Sequence, residues 1–413
     1  MITVAEASER ILARIEPLSS ESVATAEAID LVASERITAP MDSPPWDNSS
    51  MDGYAIRAAD LGELPAKLKV VEEIAAGAFP ARSIAAGEAM RVMTGAPVPA
   101  GSDSVIRRED TDDGRESVLI SSRRDTGKNI RRKGEDFHAG DILFDAGEHI
   151  RAPHIGAIAS AGIKEVRVHR RPTVALISSG DELVELADFA RELAGSKIVS
   201  SNSVTLGALL KEAGAVSLDL GIARDDRASL IEKLAQAKGC DLILTTAGIS
   251  VGDHDHVRDS VLEMNGAIDF WKVRMRPGAP LAFGSVGGVP WIGMSGNPVS
   301  AMVTFEVFVR PVIRRMLGHR DPFIRTIPVR IAKPITLAAP LMHFLRVVIT
   351  QSGEGVYGAE LAGSQSSSVI TAMARANALL ILPGDRLEIA EGEIHRALPL
   401  GNSLSTSNHL ELT

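Results

Sequence analysis

The chain has 413 residues, of which 45% are hydrophobic and 23% are charged, a composition typical of a globular protein and not of a disordered one. At this length we expect two to four domains. The formal net charge of -9 argues against a general nucleic-acid-binding protein, which would carry a basic face, so an anionic ligand would need local basic residues.

The single cysteine, Cys240, excludes an intrachain disulfide and a metal site built from several cysteines. It adjoins an apolar run, so we expect a buried thiol at the edge of a strand. The first residues form a charged amphipathic pattern without the apolar region of a signal peptide, and no stretch reaches the length of a membrane span. The sequence therefore predicts a cytoplasmic protein that has neither a membrane nor a nucleic acid as a partner.

The N-terminal region, residues 1–170, is predicted to contain two subdomains. Apolar residues at helical spacing predict two helices within residues 3–35, interrupted around Pro17 and Ser19. Beyond them, short β-like runs alternate with Gly/Pro turns, which is typical of a mainly β region. We expect the chain to leave the first subdomain and to return to it, with boundaries at about 1–44 and 140–170 for the first and about 45–139 for the inserted one.

Residues 171–320 follow a different pattern, in which apolar strands alternate with amphipathic helices. Such alternation predicts consecutive βαβ units and a parallel sheet covered by helices. From residue 321 to residue 413 the patterns are those of β-strands again, so we expect a separate small C-terminal β domain. The predicted fold class is therefore multidomain, α/β plus β. In the central domain we expect strands at 173–178, 216–221 and 241–246, and helices at 202–214, 227–237 and from about His256.

Three polar loops follow predicted strands of the central domain, at residues 178–182, 224–226 and 247–255. Ligands of doubly wound sheets bind beyond the carboxyl ends of the strands, and each of these loops carries carboxylates. Asp181 or Asp225 could simply cap the following helix, so for either residue alone the capping alternative stays open. Three acid-bearing loops at one sheet edge favour a binding site.

The third of these loops combines glycines with acids. Gly248 and Gly252 permit a tight turn in which backbone N–H groups face a ligand. Asp253 and Asp255 follow where a helix should begin. A strand, an amide-lined loop and paired carboxylates together predict a site for a phosphorylated ligand held through a metal ion.

Two further segments of the central domain could bind an anion. Asn297 and Pro298 fit the N-cap and first position of a helix, and capping would explain Asn297 fully, although open amides there could also receive an anion. Lys272, Arg274 and Arg276 alternate, so on a strand they share one face. That face is either a solvated sheet edge or a cationic strip for phosphate.

The N-terminal region contains three motifs of its own. Asp52 lies in an Asp-Gly pair, which is an ordinary turn signal. Thr94 lies in a Gly/Pro loop and should be exposed. Residues 131–136 place Arg and Lys before Glu135 and Asp136, a charge cluster of the kind that usually forms a solvated face.

In this order, these segments resemble the molybdopterin molybdenumtransferase family, the MoeA type that is shared with the gephyrin E domain. The resemblance covers nearly the whole chain. Eight ordered motifs carry it: DNSSMDGYA, MTGAPVPAGSDSVI, RRKGEDF, SSGDEL, GIARDD, GISVGDHD, RPGAP and GNPVSA.

The resemblance implies an elongated homodimer with a molybdopterin-binding central α/β domain, a discontinuous N-terminal region and a C-terminal domain like a small β-barrel. The active site would lie between the central domain of one subunit and the N-terminal region of the other. The implied reaction converts adenylylated molybdopterin and molybdate into molybdenum cofactor and AMP, with magnesium as the metal. Transient contact with a molybdopterin adenylyltransferase and with apo-molybdoenzymes would fit this place in biosynthesis.

The resemblance also implies roles for individual residues. The central-domain site would contain Glu182, Asp225 and Asp255, one or more of them contacting the metal. The partner subunit would supply Asp52, Thr94 and Asp136. Substrate contacts would come from Gly248, Ser250, Gly252, Lys272, Arg274, Arg276, Asn297 and Pro298, and from Arg346 and Ser367 in the C-terminal domain.

Three positions depart from the family pattern. The basic strip commonly ends Lys-Pro-Gly-Lys-Pro, but here Arg276 replaces the first Lys and Ala279 the second, so one anion contact is lost or is supplied elsewhere. Ala247 stands where the pattern has Gly, which adds a Cβ to the loop. The segment LMHFLRV lacks the charged residues often found before Arg346. None of these changes removes a carboxylate, so we expect activity.

Other functions fit the sequence less well. The sister adenylyltransferase and the competence-damage-inducible type of hydrolase share the central fold, but neither explains the N-terminal motifs. A non-catalytic molybdenum cofactor carrier or a scaffold protein is the remaining alternative, because binding needs many of the same groups. The five acids Asp52, Asp136, Glu182, Asp225 and Asp255 favour catalysis over a carrier.

Overall fold

The structure is a computed structural model that describes residues 1–192, 197–248, 256–351 and 357–401. The chain divides into two compact units. The larger unit comprises Met1–Glu21, Asp30–Ser34 and Val168–Thr413, and the smaller one Ser22–Ile29 and Glu35–Arg167. Within the described ranges, no helix is long and apolar enough to cross a membrane.

The larger unit begins with helix α1, Val4–Leu12. Thr3 caps it, because its side chain accepts a hydrogen bond from the N–H of Glu6 at 3.2 Å while the Glu6 carboxylate accepts one from the N–H of Thr3 at 2.7 Å. The apolar face of the helix buries Ala7 and Ile11 in the core of the unit.

The prediction of a second helix within residues 3–35 is wrong. That stretch contains strand β1, Ser20–Ala24, and one 3-10 turn, Thr25–Glu27. Strand β1 pairs with β11, Glu165–His169, and the hydroxyl of Thr25 donates a hydrogen bond to the carbonyl of Ile163 at 2.8 Å. These long-range partners satisfy the backbone, and they override the helical spacing of the apolar residues.

The smaller unit is mainly β, as predicted. Its principal sheet has five strands in the order β7-β4-β6-β5-β8, with apolar clusters against it. Two short pairs, β2 with β10 and β3 with β9, join segments that are far apart in sequence. The elements are β2 Ile37–Thr38, β3 Asn48–Ser49, β4 Gly53–Ile56, β5 Ala66–Ile74, β6 Glu88–Val92, β7 Ser104–Arg107, β8 Ser117–Ile120, β9 Ile130–Arg131, β10 Ile142–Phe144 and helix α2 Ala152–Ser160.

The central part of the larger unit is a six-stranded sheet in the order β15-β12-β16-β20-β19-β17. The first four strands are parallel, as predicted. The predicted parallel sheet is extended by antiparallel pairing, because β19 and β20 form a hairpin whose two-residue turn is Gly287-Gly288, both with positive φ. The strands are β12 Thr173–Ser179, β13 Leu183–Val184, β14 Ile198–Val199, β15 Val216–Ala223, β16 Leu242–Thr246, β17 Ala267–Phe270, β18 Met275–Arg276, β19 Leu281–Val286 and β20 Val289–Met294.

Helices cover both faces of this sheet. Alternate residues of β12 enter different clusters: Val174 and Leu176 pack with α4 and α7, whereas Ala175 and Ile177 pack with α5 and α6. A π-helical turn, Phe305–Val309, separates α7 from α8 just before Pro311, where the sequence predicts that the first helix ends. The helices are α3 Phe189–Glu192, α4 Ser201–Glu212, α5 Arg227–Gln236, α6 His256–Glu263, α7 Pro298–Thr304 and α8 Arg310–Met316.

The C-terminal strands form a small closed β-barrel, which confirms the predicted barrel-like domain. Pairing of β23 with β25 closes the sequence of neighbours β23-β24-β21-β27-β25. Strand β18 of the central part adds to β23 in parallel, with Arg276 opposite His343. The elements are β21 Ile327–Ile331, β22 Ile335–Thr336, β23 Met342–Gln351, β24 Tyr357–Leu361, α9 Ile370–Arg375, β25 Ala378–Leu382, β26 Glu388–Ile389 and β27 Ile394–Pro399.

Candidate functional site

A cavity of about 600 Å³, the first cavity, opens at the carboxyl ends of the parallel central strands. Its wall comes from the residues that follow β12, β16 and β20, among them Ser179, Ala247 and Ser295. Asn202 of α4 also lines it and donates a hydrogen bond from its side-chain amide to the carbonyl of Gly296 at 2.8 Å. The sequence predicts ligand binding at this edge.

The loops after β12 and β15 are bonded to each other through two acids. The N–H of Asp181 donates to Oδ2 of Asp225 at 3.2 Å, and the N–H of Asp225 donates to Oδ1 of Asp181 at 3.3 Å. The hydroxyl of Ser179 donates to the other oxygen of Asp225 at 3.3 Å. These contacts are at the long end of the hydrogen-bond range, so they position Asp225 without saturating its carboxylate.

The capping alternative fails for both acids. Helix α5 is capped by Asp226, whose carboxylate accepts a hydrogen bond from the N–H of Ser229 at 2.8 Å. Asp181 precedes strand β13 and no helix. Both side chains are therefore available for a role other than capping.

Glu182 lines the first cavity and is exposed. Within the described ranges, its carboxylate has no hydrogen-bond partner. Gly180 makes this placement possible: its φ is +151°, and a Cβ on it would lie 2.6 Å from Oε2 of Glu182. The loop therefore brings the Glu182 carboxylate close to its own backbone, and a Cβ at position 180 would force that carboxylate to shift.

The third acid-bearing loop falls mostly outside the described residues, and with it Ser250, Gly252 and Asp255. Gly248 is described, and it lines the first cavity. Ala247 adopts a φ of +70°, a left-handed conformation that residues with a Cβ rarely take, so the Ala found where the pattern has Gly is strained.

The described part of the chain contains no group of three or more His, Cys, Asp or Glu residues that could hold a metal ion. Glu182 and Asp225 nevertheless suit magnesium, since this ion commonly takes one or two protein carboxylates and completes its shell with water and substrate phosphates. They stand in loops that follow the adjacent parallel strands β12 and β15. The residues present therefore fit a magnesium ion.

The start of helix α7 differs from the prediction. Asn297 is the N-cap residue and Pro298 the first helical residue, but the Asn297 side chain makes no capping hydrogen bond. The N–H of Val299 donates to the carbonyl of Ser367 at 3.2 Å, so this amide is not open to an anion. Asn297 and Pro298 contribute instead as lining residues of the first cavity.

A second cavity of about 710 Å³ adjoins the first, since Pro280, Ser295 and Asn297 line both. Its other wall comes from the barrel and includes Arg346 and Ser367, two residues that the resemblance selects. Both cavities lie within the larger unit. The structure therefore places two cavities side by side, one lined by Glu182 and one lined by Arg276 and Arg346.

The basic strip is only partly a strand. Just Met275 and Arg276 form β18, although Arg274 and Arg276 are exposed and Met275 is buried, as alternation predicts. Arg276 lines the second cavity. Lys272 and Arg274 are not among the residues that line either cavity, so of the three predicted cations the structure brings only Arg276 to this site.

Arg346 is fully buried without a carboxylate partner in the described part of the chain. Its Nη2 donates to the carbonyls of Ser364 and Ser366, at 3.0 Å each, while Nε and Nη1 have no partner there. Burial lowers the pKa of the guanidinium. Buried charges are normally paired, so two unpartnered N–H groups beside a cavity indicate a binding site for an anion.

His343 is a residue of the second cavity that sequence reasoning missed. It is 3% exposed, its Nδ1 lies 2.7 Å from the carbonyl oxygen of Leu341, and its Nε2 has no partner in the part of the chain that the structure describes. Burial, followed by the charge of Arg276, lowers its pKa. The sequence carries little signal here, because the segment LMHFLRV differs from the family pattern only in lacking charged residues before Arg346.

The smaller unit brings two of its predicted residues together. Asp52 accepts hydrogen bonds from the N–H of Thr94 at 2.7 Å and from its hydroxyl at 2.8 Å, and these bonds lower the pKa of Asp52. Both side chains are exposed, as predicted for Thr94. Asp136 is also exposed, and its N–H donates to the carbonyl of Ser43 at 2.9 Å.

The charge cluster before Asp136 is largely paired on the surface of the smaller unit. Arg132 contacts Asp47 at 2.6 Å, and Lys133 contacts Asp42 at 3.1 Å. This favours the interpretation of these two cations as a solvated face.

Three family models match successive parts of the chain. The MoeA N-terminal region (domain I and II) matches residues 2–162, a probable molybdopterin binding domain matches residues 175–315, and the MoeA C-terminal region (domain IV) matches residues 328–400. Together they follow the order of the smaller unit, the central sheet and the barrel.

Named relatives match over almost the full length. The molybdopterin molybdenumtransferase 2 of Mycobacterium tuberculosis is 36% identical over 381 residues, which are 90% of this chain and 93% of the relative. The molybdopterin molybdenumtransferase of Haemophilus influenzae is 32% identical over 418 residues, 98% of this chain and 100% of the relative. The crystal structure of a molybdopterin biosynthesis MoeA protein from Pyrococcus horikosii superposes with a TM-score of 0.81 at 27% identity, over 97% of this chain and 99% of that one.

Proposed function

The chain belongs to the molybdopterin molybdenumtransferase family, and we propose that it inserts molybdate into adenylylated molybdopterin, releasing molybdenum cofactor and AMP. It is accordingly a transferase of molybdenum cofactor biosynthesis. The finer proposal is carried by one observation: a cavity lined by the carboxylate residue Glu182 and a cavity lined by the buried Arg346 adjoin along Pro280, Ser295 and Asn297.

The first cavity suits the pterin and its phosphates. It lies at the sheet edge where α/β domains bind ligands. Small residues such as Ser179, Gly248 and Ser295 line it and leave room for a ligand to approach the protein backbone. We assign the anhydride between the pterin phosphate and AMP to the end near Glu182. Water attacks phosphorus there, the bridging P–O bond breaks, and AMP leaves. Molybdate then forms two bonds to the sulfur atoms of the pterin dithiol, and one of its oxygens leaves as water with the two thiol protons.

The second cavity suits molybdate, which is a tetrahedral dianion. Arg346 offers two N–H groups that lack partners within the described ranges, and Arg276 lines the same space. Hydrogen bonds between a charged donor and an anion contribute about 1.5–3 kcal/mol each, so Arg346 alone can hold the dianion against weak competitors. Molybdate would therefore bind in the second cavity, next to the pterin in the first.

Glu182 and Asp225 would hold magnesium, with water and substrate phosphate oxygens completing its shell. The ion, when bound, neutralises charge on the anhydride oxygens and so favours attack on phosphorus. Without the ion, the two carboxylates would repel the substrate phosphates, so phosphate binding at this end depends on the ion. Asp255 would join them if its loop brings it to the same edge.

AMP release from adenylylated molybdopterin tests the proposal, measured with and without molybdate and magnesium. We expect release that depends on both. Arg346→Met should raise the molybdate concentration for half-maximal release by at least about tenfold, because it removes donors worth more than about 1.4 kcal/mol.

Arg330→Met is the matched control, because Arg330 also belongs to the barrel and also donates to a carbonyl but lines neither cavity. It should behave as wild type. Tight binding of the adenylylated pterin without any release would favour the carrier function and contradict the proposal.

The homodimer with an inter-subunit site remains a prediction of the resemblance. It can be tested by mixing an Asp52→Ala subunit with a Glu182→Ala subunit. If each site takes Glu182 from one chain and Asp52 from the other, a mixed dimer contains one intact site, so activity returns when two inactive preparations are combined. Continued inactivity in a mixed dimer verified by mass would contradict the inter-subunit site.

A further inference from the structure

His343 is a buried histidine of the second cavity, and one of its ring nitrogens has no hydrogen-bond partner in the described part of the chain. The Leu341 carbonyl can only accept a hydrogen bond, so the ring nitrogen 2.7 Å away, Nδ1, carries a proton. In the neutral ring, Nε2 is then a bare acceptor. It is buried and has no partner among the described residues.

The neighbouring groups of the second cavity are donors. Arg346 has two N–H groups without a partner in the described ranges, and Arg276 stands opposite His343 in the pairing of β18 with β23. A bound oxyanion satisfies these donors. His343 lines the same cavity, so an anion oxygen that approaches Nε2 would meet its lone pair. Two acceptors repel each other unless a proton lies between them.

We propose that oxyanion binding in the second cavity is linked to uptake of one proton at Nε2 of His343. The proton comes from solvent and forms the imidazolium, which then donates a hydrogen bond to an oxygen of the dianion. This inference rests on the proposed function, in which the ligand is molybdate. It makes His343 a binding residue that selects for dianions able to offset its own positive charge and those of Arg276 and Arg346.

The charges around His343 explain why the proton arrives with the ligand. The strand on one side presents Arg276, whose charge disfavours the imidazolium, and the strand on the other side presents Leu382, which has no charge. Arg346 adds a further positive charge three residues along β23. Burial, followed by the charge of Arg276, lowers the pKa of His343 in the empty cavity, and a bound dianion would raise it.

The direction of the pH dependence follows. Between the lower pKa of the empty state and the higher pKa of the bound state, binding takes up a proton, so affinity rises as the pH falls. The largest slope for one proton is about tenfold per pH unit. Outside that window the affinity is independent of this group.

Isothermal titration calorimetry with sodium molybdate tests the link, in two buffers of different ionisation enthalpy at about pH 7.5. We expect uptake of about one proton by the wild-type protein and an affinity that changes by up to about tenfold per pH unit. His343→Gln should still bind molybdate, because its amide can donate without being protonated, but without proton uptake. His395→Gln, a barrel histidine that contacts Glu393 and does not line the cavity, should retain the uptake.

Two results would overturn the proposal: molybdate binding to the wild type without proton uptake, or uptake that persists in His343→Gln. If that variant does not fold, the ¹⁵N shift of Nε2 in wild-type protein decides, since it must change to the imidazolium value on adding molybdate. AMP release separates this inference from the proposed function. Normal AMP release without proton uptake would contradict only the role of His343. Absence of both molybdate binding and AMP release would contradict the role of His343 and the proposed function together.

Discussion

Asp225 and Asp226 are adjacent acids with different predicted roles. Replacing Asp225 by alanine should lower turnover, whereas replacing Asp226 should lower the stability of helix α5. Asp226 caps α5 through a 2.8 Å hydrogen bond from the N–H of Ser229. Loss of such a cap lowers the free energy of unfolding by about 0.5–2 kcal/mol. Because the Asp226 carboxylate is used in the cap and the resemblance gives it no role in the site, AMP release per folded molecule should remain at the wild-type value.

Asp225→Ala should have the opposite effect. The contacts of its carboxylate, to Ser179 and to the N–H of Asp181, are 3.2–3.3 Å long and lie at an exposed position, so the unfolding free energy should change by only a few tenths of a kcal/mol, about what a surface contact gives. A metal contributes several kcal/mol of charge stabilisation in the transition state, and each 1.4 kcal/mol is about tenfold in rate. Losing one of its ligands should therefore lower turnover by about a hundredfold or more.

The assays are AMP release at saturating substrate and hydrogen exchange of the α5 amides. Hydrogen exchange is preferable to a single melting temperature because a chain with several domains need not unfold in one step. Faster exchange in α5 with normal turnover is expected for Asp226→Ala, and the reverse for Asp225→Ala. Wild-type turnover in both Asp225→Ala and Glu182→Ala would refute the metal-site assignment.

Three more predictions follow from local geometry. Ala247→Gly should raise the free energy of unfolding by about 0.5–1 kcal/mol, measured in urea, because it relieves a φ of +70°. Gly180→Ala should lower magnesium-dependent AMP release, since its Cβ would lie 2.6 Å from the Glu182 carboxylate and displace it. Arg107 lowers the pKa of Asp125 to about 2, so this pair contributes stability above the unfolded pKa of about 3.9, and that stability is lost as the pH falls toward 2. Urea unfolding of Asp125→Asn should therefore show a weaker loss of stability in acid than the wild type.

The central domain was predictable because burial there repeats in short, regular units. Helix α4 runs over Ser201–Glu212 against a predicted 202–214, and β16 over Leu242–Thr246 against 241–246. The inner strands β12 and β16 are covered on both faces, so their residues form apolar runs, and each helix needs only one apolar face. Local pattern and tertiary burial agree in this region.

Elsewhere the local pattern and the tertiary environment diverge. Residues 20–27 have helix-compatible spacing around them, yet pairing with β11 sets their conformation. The Gly287-Gly288 pair, by contrast, is a sequence signal for a β-hairpin, and the prediction of a parallel sheet did not use it. Neither His343 nor Arg346 carries a pattern of its own, because their burial results from barrel closure and from the addition of β18 to β23.

The basic residues of the second cavity also give a physical reading of the departure at Ala279. This residue lines the cavity, and the family pattern has a lysine there, so the cavity contains one permanent positive charge fewer than expected. Arg276 keeps the charge of the other family lysine, and Arg346 supplies a buried charge without a carboxylate within the described ranges. A third permanent cation would add to the repulsion between these groups in the empty cavity. A histidine that becomes charged only when the dianion arrives supplies the missing contact without that repulsion, so His343 can compensate for Ala279 at a smaller loss of folding stability.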